Sequence, residues 1–566
     1  MRKKMFPLFL ALALVLSMGS TALADYYSRL FPIVKTQAHN FKGKTVILHS
    51  NDVHGAIDGY AYMPALRDRL LAEGASQVLV VDAGDFSQGG IYVSANKGKA
   101  AIDMMNTAGY DVVTLGNHEF DYGYARLMEN LKDAKFQTIC CNVFLDETGE
   151  TILPPSTIIE TKSGLRLGFV GVETPETATK VNPGIITDIS FSSFGKLYEA
   201  VQTAVDEIRN DCDLVIGLTH LGVDIEAASN GYRSVDLLNS VKGIDFAIDG
   251  HSHTVMTDAK YGLPVQSTGQ KFAYVGMVII DDATKKIEDN FLLSTASLEK
   301  DEAVAAAAQE IIDAVDETFS TPFAISEVIL DGERENNRTR ETNMGDLISD
   351  AIVWLVLKEG WVENAEPNHV VGIRNGGGIR ASIKAGDVSM KDTIAVLPFG
   401  NTVTLVYVTG EELLEALEAS TFSTPEQLGG FPQTSGIEWT VDCTRPYAKG
   451  DLYTLSGKDT AYFAPASIQR VTITAINGEP FDPAATYAVV TDNFLSAGGD
   501  TYNAFNRAYS AGSGFDTGIP IDQALVQYIT EALGGRITAE QYGKPRGSLT
   551  VIPPEPVQED AVKPAA

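Results

Sequence analysis

The sequence predicts an α/β protein of two domains: a layered α/β N-terminal unit and an α+β C-terminal unit, joined by a helix. Three observations predict it. Between Lys44 and about Asp281, short β-branched apolar runs each end in a polar cluster and alternate with helix-like stretches. A chain of 566 residues is too long for one ordinary core. A segment rich in alanine and acids, with one apolar stripe, then separates two regions of different pattern.

The apolar runs are "TVILHS", "QVLVVDAGD", "DVVTLGNHE", "LRLGFVGVE", "DLVIGLTH" and "IDFAIDGHSH". Continuous apolar strands of this kind belong to a sheet buried on both faces. Between them, "AAIDMMNTAGY" and "FGKLYEAVQTAVDEIRND" carry apolar residues at helical spacing. Residues 42–296 therefore form the first domain. Residues 297–322 form the connecting helix, with Ile311, Ile312 and Val315 on its stripe and Pro322 at its close. In the second domain, 323–553, "TNMGDLISDAIVWLV" and "GEELLEALEAST" read as helices. "TVTLVYVTG", "GIEWTVD", "IQRVTITAI" and "TYAVVTDNFL" read as strands. The tail 554–566 is Pro-rich and polar, a disordered composition.

Arg2, Lys3 and Lys4, the apolar "FPLFLALALVL" and the small residues Ala22–Ala24 read as a secretory signal over 1–24. The expected location is therefore exported, periplasmic or extracellular. No membrane anchor is expected after it. The formal net charge of -31 repels nucleic acid polymers and anionic membranes, so an anionic ligand has to be drawn in by local positive charge. Cys140, Cys141, Cys212 and Cys443 show no CxxC spacing and read as mostly buried thiols. The expected assembly is a monomer or weak homodimer.

Five of the eight histidines, His54, His118, His220, His251 and His253, fall in polar clusters just after the predicted strands. Ligands of open α/β sheets bind outside the carboxyl ends of the strands. Asp52, His54, Asp85, Asn117, His220, His251 and His253 can therefore converge although they lie far apart in sequence. Carboxylate oxygen with imidazole nitrogen suits two divalent metal ions such as Mn, Zn, Fe or Co. Asp85, in the tight turn "GDFSQGG", is the natural carboxylate to bridge two cations. His39, His49 and His369 lack this setting.

"NDVHG", "GDFSQGG", "GNHEFD", "THLG" and "GHSH" resemble the five blocks of the calcineurin-like metallophosphoesterases. Over nearly the whole mature chain the sequence is similar to the secreted bacterial 5′-nucleotidases. The resemblance implies a β-sandwich core flanked by helices in the first domain. It implies one metal on Asp52, His54, Asp85 and His253 and another on Asp85, Asn117, His220 and His251. Some similar bacterial members carry glutamine where His253 stands. The resemblance makes His118 a non-ligand held by Asp121. The three-residue spacing independently lets the Asp121 carboxylate fix the imidazole tautomer. His118 can then stabilise transition-state charge or protonate a leaving oxygen. Glu119 reads as structural.

"NNRTRETNMGD", "RNGGGIR", "GGFPQTSG" and "NFLSAGGD" resemble the nucleotide-binding segments of the same family. The residues so implied are Arg338, Asn375, Arg380, Phe431, Phe494 and Asp500, with Arg340 and Arg374 as neighbours. Two rings on facing loops can stack a base. Asp500 can accept ribose hydroxyls, the arginines can fork onto phosphate, and Asn375 can bind the base edge. The expected activity is hydrolysis of nucleoside 5′-monophosphates to nucleoside and phosphate, with di- and triphosphates, UDP-sugars and NAD as related substrates. The alternatives are a 2′,3′-cyclic-nucleotide phosphodiesterase, a sulfur-oxidation hydrolase or a non-catalytic nucleotide-binding surface protein. A site divided between two domains also implies closure about the connecting helix.

Overall fold

The computed structural model describes residues 40–455 and 458–554. The predicted signal segment, His39 and all but the first residue of the predicted tail lie outside them. The first domain is a sandwich of two six-stranded sheets. The first sheet uses β1 (Lys44–Ser50), β2 (Gln77–Asp82), β3 (Val112–Thr114) and β4 (Gln137–Ile139). The second uses β5 (Ser156–Glu160), β6 (Arg166–Glu173), β7 (Leu214–His220), β8 (Phe246–Asp249), β9 (Val255–Met256) and β10 (Val265–Thr268). The hairpin β11 (Tyr274–Asp281) and β12 (Lys286–Ser294) returns to complete the first sheet. The strand orders are β12-β11-β1-β2-β3-β4 and β9-β10-β8-β7-β6-β5. β1 to β4 run parallel, as do β6, β7, β8 and β10.

The period of two along each strand explains the layers. Ile47, Leu79, Val81, Phe169, Ile216 and Ile248 point inward and fill the space between the sheets. Val46, Leu48, Val78 and Val80 point outward. They meet the helices α1 (Tyr62–Ala72) and α2 (Lys99–Ala108). On the other side Val170, Val172 and Val215 pack against Leu197, Val201 and Val205 of α3 (Gly195–Arg209). Both faces of each sheet are therefore apolar, which is why the strands read as unbroken apolar runs.

The connecting helix α4 spans Glu302–Phe319 and starts where the Asp301 side chain accepts the Val304 N–H at 2.9 Å. It buries Val304 and Ala308 in the outer layer of the first domain. Pro322 opens a short strand, Pro322–Ser326. The centre of the second domain is a five-stranded sheet with α5 (Asn343–Lys358) against it. Its strands are Pro432–Ser435, Val370–Asn375, Thr486–Asp492, Thr402–Thr409 and Gly514–Pro520, in that order. The predicted strand "TYAVVTDNFL" stops at Asp492, whose side chain caps the turn Asn493–Ser496. All four cysteines are free thiols.

Leu79 is 2% exposed between the two sheets. Leu79→Ala is expected to cost about 2–5 kcal/mol, read as a lowered denaturant midpoint for the first domain.

Candidate metal centre and nucleotide cavity

Each predicted ligand sits where a strand ends and the chain turns sharply. Asp52, His54, Asp85, His251 and His253 all have left-handed backbones, with φ of 50°, 44°, 64°, 73° and 55°. Non-glycine residues adopt this conformation at a cost of about 1–3 kcal/mol each, so other contacts must hold them. For Asp85, Glu119 supplies one. Its buried carboxylate accepts the backbone N–H groups of Asp85 (2.8 Å), Phe86 (2.9 Å), Ser87 (2.9 Å) and Gly116 (2.6 Å). The turn after β2 is thereby tied to the turn after β3. Gly84 and Gly116 make room for this crossing: a Cβ on Gly84 would lie 2.5 Å from the Gly116 nitrogen.

The tautomers follow from the partners. A carbonyl only accepts, so His220 Nδ1, 2.6 Å from the Ala83 oxygen, is a donor. Its Nε2 then carries a lone pair, has no hydrogen-bond partner and faces Asp85 Oδ2 at 3.1 Å. His54 Nδ1 lies 3.2 Å from the Gln88 carbonyl oxygen, which leaves its Nε2 as a lone pair. That atom is 2.9 Å from His253 Nε2, 3.7 Å from Asp52 Oδ1 and 3.6 Å from Asp85 Oδ2. His251 Nε2 donates to Glu176 Oε2 at 3.0 Å, so its Nδ1 turns a lone pair toward Asn117 Oδ1 at 2.9 Å. Nitrogen lone pairs of His220, His54 and His251 thus face oxygen lone pairs in a buried site. Burial pushes the Asp52 carboxyl up to about 6. This donor set fits divalent cations, whose charge would replace the facing repulsions. Asp52, Asp85, His54, His220 and His253 approach closely enough to share ions, and Asn117 with His251 flanks them.

His118 also comes within reach of His54 and Asp85, its ring 5.2 Å from that of His54. Nδ1 donates to Asp121 Oδ2 at 2.6 Å, as the spacing predicts. The ring stacks on Phe399 of the second domain at 5.7 Å and 23°. His49 instead bonds Gln266 in the core, and His369 is a half-buried partner of the Thr486 carbonyl.

A cavity of about 470 Å³ joins the two domains. Asp85, Asn117, His118, His251 and His253 of the first domain line it, together with Arg338, Arg380, Asn375, Phe494 and Asp500 of the second. Arg334, one helical turn before Arg338, also faces it. Among the described residues, none of Arg334, Arg338 and Arg380 lies within 4.0 Å of a carboxylate. Shelter from solvent and the nearby Arg338 cation lower Arg334 to about 9 and Arg380 to about 10. Three crowded, unpaired cations form a site for an anion.

Three details differ from expectation. Phe431 is fully buried and does not line the cavity. Its backbone is fixed by Gly376 N–H and the Leu428 carbonyl, and the rings that join Phe494 on the cavity wall are Phe399 and Tyr122. Asn375 lines the cavity, but its Nδ2 donates to Asp500 Oδ2 at 2.8 Å, so its amide supports the acid. Arg374 is buried against Asp492, and Arg340 is exposed and bonds Asn336. Arg374 nevertheless lines the cavity with Arg338, whereas Arg340 does not.

Residues 45–255 match the family model of the calcineurin-like phosphoesterases, and residues 320–507 match that of the 5′-nucleotidase C-terminal domain. The chain is 28% identical to the trifunctional nucleotide phosphoesterase protein YfkN of Bacillus subtilis (strain 168), over 88% of this chain and 34% of that protein. It therefore spans about a third of that relative's length. It is 29% identical to the snake venom 5′-nucleotidase of Naja atra, over 84% of this chain and 94% of that one. The crystal structure of a 5′-nucleotidase precursor from Thermus thermophilus superposes with a TM-score of 0.72 at 26% identity. That match covers 90% of this chain and 99% of the other.

Because Asp85 faces both His54 and His220, Asp85→Ala is expected to lower the metal bound by this cluster. Elemental analysis of the variant after metal supplementation checks this; metal content equal to that of the wild type contradicts it.

Proposed function

The chain belongs to the two-domain family that joins a calcineurin-like phosphoesterase domain to a 5′-nucleotidase C-terminal domain, and we propose that it is an exported hydrolase of nucleoside 5′-monophosphates. One observation carries the reading. A single cavity is lined by the lone-pair cluster, by three arginines without carboxylate partners, by aromatic rings and by a buried acid. This arrangement suits a phosphate ester with a ring system and hydroxyls attached.

Asp52, His54, Asp85 and His253 would hold one divalent cation, and Asp85, Asn117, His220 and His251 the other. Two such cations supply Lewis acidity at the phosphoryl group and a nucleophilic oxygen at neutral pH. Arg334, Arg338 and Arg380 bind and neutralise the phosphate. Phe494 and Phe399 line the space for the base, and stacking accepts every base. Asp500 accepts the ribose hydroxyls. His118 donates Nδ1–H to Asp121, which leaves Nε2 to carry the proton given to the departing ribose 5′-oxygen. Phe399 against the ring and the Asp121 bond keep that nitrogen directed into the cavity. Among the described residues no helix is long and apolar enough to cross a membrane. Export rests on the basic and apolar start of the sequence.

With added Mn²⁺ the purified protein is expected to release phosphate from AMP, and chelation to stop it. His118→Ala should keep its metal content but lose about 10²–10⁴-fold in turnover, the usual share of general acid catalysis. Absence of release with every divalent metal tried would favour a binding protein. Loss of metal from His118→Ala would reverse the roles given to the ligands and the acid.

A further inference from the structure

The segment Glu176–Lys180 of the first domain is one helical turn with two different tasks at its ends. At one end Glu176 accepts from His251. At the other, the Lys180 ammonium lies 2.9 and 2.8 Å from the two Glu226 oxygens and 3.4 Å from Asp500 Oδ1. Tyr462 closes the group. Its ring centroid is 5.6 Å from the ammonium and its hydroxyl is 3.3 Å from Glu226. Lys180 and Glu226 belong to the first domain, Asp500 and Tyr462 to the second. The backbone crosses here too, because Asp500 N–H donates to the Thr179 carbonyl at 2.7 Å.

Asp500 needs such partners. It is 4% exposed and holds a left-handed backbone with φ of 53°. Its Oδ2 accepts from Asn375 within its own domain, and its Oδ1 faces the cation supplied by the other domain. Burial works against the charge on Lys180, but Glu226 and Asp500 outweigh it and raise its pKa above the ordinary lysine value. A buried carboxylate deprived of its cation bears the full cost of its lost hydration. The space around the ammonium is also fitted, since a Cβ on Gly429 would lie 3.1 Å from it.

We propose that Lys180 is a positioning residue for substrate selection: it orients Asp500 across the domain boundary, so that ribose recognition is complete only when the domains are in contact. This rests on the proposed reading of the site as a nucleotidase, in which Asp500 meets the ribose. Lys180 acts through Asp500 and leaves the phosphate to the arginines and the cations. Its loss therefore weakens substrates that present a ribose and spares those that do not.

The test compares AMP with p-nitrophenyl phosphate, an ester that lacks ribose and base, in the full-length metal-supplemented protein. Lys180→Met is expected to raise KM for AMP by about tenfold or more, the scale of a lost hydrogen bond to a charged group. The kinetics with the aryl ester and the metal content should stay unchanged, and Lys180→Arg should restore most of the AMP affinity. Equal losses on both substrates, or no change on either, overturn the proposal. Amide exchange over 498–502 gives a readout that does not need AMP turnover. It should quicken in Lys180→Met, and unchanged exchange there also overturns the proposal. If the wild type cleaves the aryl ester but not AMP, the nucleotidase reading fails, and exchange alone decides the role of Lys180 in holding Asp500.

Discussion

Lone pairs that face one another in a buried space repel unless positive charge lies between them. That constraint governs the first domain. His220 Nε2 faces Asp85, His54 Nε2 faces Asp52 and Asp85, and His251 Nδ1 faces Asn117. Each arrangement is forced by the far side of the ring, where a carbonyl or carboxylate takes the only proton. The strained turns that carry these groups follow from the same demand. Strand ends in two stacked sheets must deliver short side chains to one point, and left-handed backbones with close glycine contacts achieve this. Glu119 offsets part of the strain by gathering four N–H groups that would otherwise be unpaired.

The second domain answers with the opposite charge. The chain is strongly acidic overall, with a formal net charge of -31, yet Arg334, Arg338 and Arg380 crowd one wall of the shared cavity without carboxylate partners. An anion entering from solvent therefore passes from a repelling exterior to an attracting interior. Coulomb interactions outside are screened over about 10 Å in ordinary salt, whereas those inside the cavity are screened far less. Placing the arginines inside makes the site attractive without altering the outer surface.

Much of this was legible in the sequence. The β-branched runs located six strands, and the His and Asp clusters at their ends located the groups that converge. The three-residue spacing from His118 to Asp121 matches their hydrogen bond. Other features left no local signature. Arg334 lay one turn before a recognised arginine, and its four-residue spacing from Arg338 was the available clue. Glu176 and Lys180 sit in a short turn without ligand-like spacing; their meaning comes from His251 and Asp500, which only the fold brings near. Phe399 replaces Phe431 on the cavity wall because burial depends on how loops pack, and aromatic residues in glycine-rich loops look alike in sequence.

The hairpin between Lys449 and Pro465 adds one more consequence. Its Tyr453, Ala461 and Tyr462, with Ala419, pack into the same apolar layer as Val172, Val201 and Tyr232 of the first domain. Pulling the two domains straight apart would wet that layer. A swivel that keeps the greasy seam seated while the opposite lip swings away avoids the penalty. The seam would then serve as an axle, and traffic of substrate and product would run through the far lip.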